Sequence, residues 1–178
     1  MPLQPDAAST GERGLTLVEL LIMATIFAIA IAALLGAHMG QVVLNEHARN
    51  VTWAVNDASR VMEELRKQNS GAGCVLGVNP PAGFASWDAW LASTAANGGG
   101  GKSVPPDPAN NERVVVSAPG AADPLSVTVA VCWRHRGRII GECVANGAAL
   151  IESDGSNGFA ADGVIRSIAM LTTTMTCR

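Results

Sequence analysis

Apolar and polar positions follow three successive patterns along this chain. Residues 20–37 read LLIMATIFAIAIAALLGA, with Thr25 alone polar, and the next formal charge after Glu19 is Glu46. Eighteen such residues at 1.5 Å each span or nearly span a bilayer, so the run predicts a membrane helix. Beyond it Leu44, Ala48, Val51, Val55, Ala58, Met62 and Leu65 recur at alternating spacings of four and three. That is one apolar stripe of a continuing helix, with Glu46, Arg49, Asn56, Asp57, Arg60, Glu63, Glu64 and Arg66 off it. Glu63 and Lys67 stand at i, i+4, and Gly71 and Gly73 end the helix. Residues 15–69 as one helix would measure about 80 Å.

The remainder has period two. Asn79-Pro80-Pro81-Ala82-Gly83 is turn chemistry, and Ser86 caps a short helix over 86–91. The Gly- and Pro-rich stretch 92–111 reads as a long surface loop with a flexible tip. Strands are predicted over 113–117, 126–133, 138–143 and 164–176. In the second, Val127, Val129, Val131 and Trp133 share one face while Thr128, Ala130 and Cys132 share the other. A Gly137-Arg138 loop suits a type II′ turn. The pattern predicts an α+β fold, a long N-terminal helix packed on a small antiparallel sheet. The boundaries are 1–14, a leader; 15–43, the membrane half of the helix; 44–70, its amphipathic continuation; and 71–178, a β-rich domain with loop 92–111.

Composition narrows the chemistry. Of 178 residues 48% are hydrophobic and only 15% charged, so the apolar residues are concentrated in a segment. The net charge of −3 has no basic stripe, which excludes an electrostatic footprint for nucleic acid. Cys74, Cys132, Cys143 and Cys177 form an even set without Cys-x-x-Cys spacing, pointing to disulfides in an oxidising compartment. The hairpin register sets Cys132 opposite Cys143 and leaves Cys74 for Cys177. One residue of slip would put the first two sulfurs on opposite faces, and four cysteines allow three connectivities.

Other motifs lack their context. Ala96 to Ser103 imitate a phosphate-binding loop, yet Pro105 and Pro106 follow, so no helix opens there to face a phosphate. His38, His47 and His135 are too scattered for a metal, and Asp154, Asn157 and Asp162 lack EF-hand spacing. No catalytic constellation, cofactor motif or metal set is read here, and the chain is expected not to be an enzyme.

The head of the membrane helix carries the most specific signal. Its leader, MPLQPDAASTGERG, has a side-chain charge of −1, and Leu35-Gly36-Ala37 is a poor cleavage site, both unlike a secretory signal. Glu19 is a carboxylate at the threshold of a long apolar run, a position that demands a partner. Thr16-Leu17-Val18-Glu19 fits a capping box, which supplies a local one. Capping leaves unexplained why Gly14 and the charged Glu12-Arg13 pair stand just in front.

Residues Gly14-Leu15-Thr16-Leu17-Val18-Glu19-Leu20-Leu21 resemble the processing motif of type IV pilins and type II secretion pseudopilins. The resemblance implies cleavage after Gly14 by a prepilin peptidase, methylation of the amine of Leu15, and pairing of Glu19 with that amine on a neighbouring subunit. It covers about thirty residues and departs from the family in Leu15, where Phe or Met is commoner, and in a leader without Lys/Arg excess. Gly36 stands where many major pilins have a kinking Pro, which favours a minor pilin; with Gly40 it forms a small-residue pair that lets helices approach. A C-terminal disulfide would also resemble many pilins.

The partners so implied are other pilins or pseudopilins, the peptidase, an inner-membrane assembly platform and membrane lipid. The implied location is the inner membrane, single pass with the C-terminal domain in the periplasm, and then a filament. A type II secretion pseudopilin is the alternative within the family. A signal-anchored periplasmic binding domain that keeps residues 1–14 is the alternative outside it.

Overall fold

A computed structural model describes residues 16–71, 74, 76–105, 112–118, 123–141, 143–146, 149–152 and 167–177. Helix α1 runs Leu17–Gln68, and the chain divides into two units, Met1–Leu44 and Asn45–Arg178. In the first unit the described helical residues are almost all exposed, the large apolar ones included. In the second, α1 supplies one wall of the core.

The wall is not the stripe expected from spacing alone. Leu44 and Ala48 are exposed, Val51 and Val55 only half-buried, and the buried face comprises Asn50, Ala54, Asp57, Ala58, Val61, Met62 and Leu65. The expected and observed faces coincide at Ala58, Met62 and Leu65. Upstream the helix turns Asn50 and Asp57 inward because both find polar partners there: Asn50 Nδ2 lies 3.2 Å from His135 Nδ1, and Asp57 accepts from the backbone and hydroxyl of Ser103. At the exit, Asn69 donates to Leu65 O and Gly77 O and accepts from Gly77 N, so the chain leaves α1 at a fixed angle. Gly71 follows with φ +99°.

Helix α2 (Trp87–Ala92) is begun by Ser86, whose side chain accepts from Ala89 N at 3.1 Å. Its Trp87 and Trp90 meet edge to face with centroids 5.5 Å apart. Each indole is anchored, Trp87 to Val78 O and Trp90 to Asn97 O.

The main sheet is antiparallel and centres on β2 (Leu125–His135). β1 (Glu112–Ser117) pairs along one side of it, from Glu112↔Trp133 to Ser117↔Thr128. The other side is shared by β3 (Arg138–Ile140) and, farther along, β6 (Ala169–Met175), which runs from Leu125↔Met175 to Val131↔Ala169. Val127, Val129, Val131 and Trp133 are all fully buried in one cluster with Ala54, Ala58, Val61, Met62 and Leu65 of α1. A long helix thus packs with a small antiparallel sheet, an α+β fold.

Two features were not anticipated by local pattern. A second two-stranded ladder, β4 (Cys143–Asn146) with β5 (Ala149–Glu152), follows the hairpin, and its Leu150 clusters with Cys132 and Cys143. The β2–β3 turn is also one residue earlier than expected. It is made by Arg136 (φ 48°) and Gly137 (φ 76°), the type I′ signs, with His135↔Arg138 closing it. The earlier turn lets Arg136 reach Glu46 on α1 through two N–H groups at 3.2 and 2.8 Å. It also brings Gly141, not Cys143, beside Cys132: a Cβ on Gly141 would stand 2.7 Å from that of Cys132.

Candidate functional site

At the head of α1, Leu20 N donates to Thr16 O at 3.1 Å and Glu19 N donates to Thr16 Oγ1 at 3.3 Å. Thr16 thereby satisfies donors that a helix start leaves open. The Glu19 side chain lies on an exposed residue one turn into the helix. Gly14 and Leu15 lie outside the described residues.

Beyond Glu19 the helix surface is apolar and uncovered. Leu17, Ile26, Phe27, Leu34 and Met39 are each more than 60% exposed, and no residue of the most apolar eighteen-residue window is buried. Thr25, its one hydroxyl, donates to Leu21 O at 2.8 Å and needs no outside acceptor. Neither Gly36 nor Gly40 has an atom within 4 Å of where a Cβ would stand, so the pair forms an open notch on the helix. The helix is long and apolar enough to cross a membrane. Chemically this is a greasy rod surface with one carboxylate at its head, suited to lipid or to other apolar helices.

Two disulfides stiffen the second unit. Cys74 joins Cys177 with Cα atoms 5.7 Å apart, and Cys132 joins Cys143 with Cα atoms 6.1 Å apart. The second bridge does not need the two cysteines to face each other across the hairpin. Gly141, with φ +100°, occupies the place beside Cys132, and its missing side chain leaves room there for the chain to turn back.

A cluster of charged side chains lies inside this unit, with Asp57 and Arg60 from outside the predicted apolar stripe and Lys102 from the predicted surface loop. Asp57 is fully buried on α1 and is bonded by Arg60, one turn on, and by Ser103, whose N–H donates to Oδ2 and hydroxyl to Oδ1, both at 2.8 Å. Arg60 also donates to Gly99 O and Gly101 O. Lys102 turns inward, pairs with Asp88 of α2 at 2.9 Å and donates to Glu112 O at 2.6 Å. Glu112, 1% exposed, accepts from Val104 N at 3.3 Å. Burial first, and then the negative charge of Asp57, push its carboxyl up to about 9.

The supposed flexible tip is therefore packed material. Gly99, Lys102 and Val104 are buried, and a Cβ on Gly99 would stand 2.5 Å from Leu91 Cα. The lysine that imitates a phosphate-binding loop is spent on Asp88 and on the backbone of β1. A usable sequence signal did exist, since Ala54, Asp57, Ala58 and Val61 repeat at helical spacing with one carboxylate inside an apolar set.

Two shallow grooves flank the end of α1. One, of about 530 Å³, runs past Arg60, Glu63, Lys67, Trp90 and Gly99, and the other, of about 460 Å³, past Gln68, Asn69, Leu76 and Pro80. Among the described residues no group of three or more His, Cys, Asp or Glu could hold a metal ion; Asp154, Asn157 and Asp162 lie outside those residues. No family model, curated protein or solved structure matches the chain.

Proposed function

We propose that this chain is a structural subunit of a type IV pilus, a minor pilin, cleaved after Gly14 and methylated on Leu15. Before assembly, α1 anchors it once in the inner membrane with the sheet unit in the periplasm. On assembly, the apolar half of α1 leaves lipid for a bundle of like helices. There the Glu19 carboxylate meets the Leu15 amine of a neighbour.

The observation that carries this reading is the uncovered apolar surface of α1 with Glu19 exposed at its head. A buried carboxylate and a buried amine are each costly alone and tolerable together, so their pairing fixes the register of neighbouring helices. Two disulfides in the sheet unit fit an oxidising compartment outside the cytoplasm.

The test begins with the mass of the N-terminal peptide of the membrane-purified protein. A start at Leu15 bearing one methyl group is expected; an intact Met1 or Pro2 start overturns the reading and makes the protein a signal-anchored domain. Glu19→Ala should then leave insertion, cleavage and membrane abundance unchanged while removing the protein from sheared filaments. Incorporation at the level of the parent protein would refute the role given to Glu19.

A further inference from the structure

Among the described residues, the charges gathered near Glu112 do not balance if every carboxyl is ionised. Glu112 interacts with Asp57 of α1, which Arg60 pairs, and with Lys102 of the 93–105 segment, which pairs with Asp88 of α2. Among the described residues two cations therefore face two anions before Glu112 is counted. From the sheet, the residue opposite Glu112 is Trp133, which is uncharged, and Arg113 falls on the other face of β1 by alternation. An ionised Glu112 would add a carboxylate beside that of Asp57 in a site 1% exposed, with Lys102 already paired to Asp88.

Hydrogen bonding points the same way. Glu112 Oε2 accepts from Val104 N, but Oε1 is buried without a partner, although the Asp57 side chain is close enough to interact. Between two carboxylates there is no donor. A proton on Oε1 creates one, and Asp57 is its acceptor.

We propose that Glu112 is a proton-held latch: a proton on Oε1, shared with Asp57, fastens residues 98–104 between α1 and β1, and its loss loosens that segment. The fastened segment contains the two amides that bond these carboxyls, Ser103 N to Asp57 and Val104 N to Glu112. The latch is closed in acid and opens as pH rises. The folded carboxyl holds its proton from the ordinary value of 4.5 up to about 9, whereas the unfolded one loses it near 4.5. Folded protein thus binds one more proton across that window, and stability falls as pH rises through it. The proton couples the packing of this segment to the pH of the surrounding compartment.

The test uses the full chain, oxidised, in detergent micelles, with carbon-13 in the Glu side-chain carboxyls. Glu112 is expected to titrate several pH units above the other glutamates. Protection of the Ser103 and Val104 amides against hydrogen exchange should fall as pH rises from 4.5 toward that midpoint, by up to about tenfold per pH unit beyond the intrinsic change, and level off above it. Asp57→Asn should move the Glu112 midpoint down toward the ordinary range, and Glu112→Gln should keep both amides protected at every pH. A Glu112 midpoint among those of the exposed glutamates, or a midpoint indifferent to Asp57→Asn, would overturn the latch. Should Glu112→Gln fail to fold, the titration of the parent protein still decides.

Discussion

Cys74 and Cys177 are joined across a sequence separation of 103 residues, which ties the exit of α1 to the segment just after β6. Cys132 and Cys143 are joined across only 11. In the chain-entropy account a bridge stabilises by restricting the unfolded chain, and more so the longer the loop. Replacing Cys74 and Cys177 together by serine should therefore cost roughly 4–5 kcal/mol, and the same change at Cys132 and Cys143 about 3 kcal/mol. Urea unfolding of the two double variants checks the order. An equal or reversed order would show that packing at Gly141 and Leu150 outweighs loop entropy.

Arg60 bonds Asp57 and two loop carbonyls at once. Arg60→Ala would leave the fully buried Asp57 without its cation and strip Gly99 O and Gly101 O of a donor. A fully buried pair loses about 3–5 kcal/mol when one partner goes. With the Arg60 side chain 34% exposed, we expect the lower part of that range or somewhat less, roughly 2–4 kcal/mol. Adding Asp57→Ala should recover part of the loss, and a double-mutant cycle measures the coupling. A single-variant loss under about 0.5 kcal/mol would mean that the loop holds without this arginine.

Glu46 responds to pH with the sign opposite to Glu112. Its hydrogen bond from Arg136 holds its carboxyl below the ordinary 4.5. The pair's contribution is therefore present above that value and is lost as pH falls through the lowered folded one. Both side chains are exposed, so salt should screen the effect. Arg136→Ala is expected to be less stable than the parent near neutral pH in low salt, with the gap closing in acid or in concentrated salt. A gap that persists in acid would assign the effect to turn geometry at Arg136 instead.

The strands that alternate cleanly are the ones that form. β2 keeps Val127, Val129, Val131 and Trp133 on one buried face because a period of two allows no other division. β4 and β5 have only four residues each, too few for alternation to stand out from the surrounding glycines. The β2–β3 turn shifted by one residue because Arg136 and Gly137 can both take positive φ, and long-range contacts of His135 and Arg136 with α1 favour that choice. At the head of α1 the Thr16 cap was legible because it joins residues three apart.

The amino-acid order alone determined the membrane-length run, the extent of α1, the Ser86 cap and the alternation of β2, all of which depend on neighbours within a few residues. Tertiary structure decided which way α1 faces between residues 50 and 57, why Asp57 and Glu112 are interior, and that the glycine-rich segment packs inward instead of projecting. For the residues of α1 those choices depend on partners lying 39 to 90 positions away, from Gly99 for Arg60 to Arg136 for Glu46. A charge looks solvated from its local sequence until the opposite charge that buries with it is known.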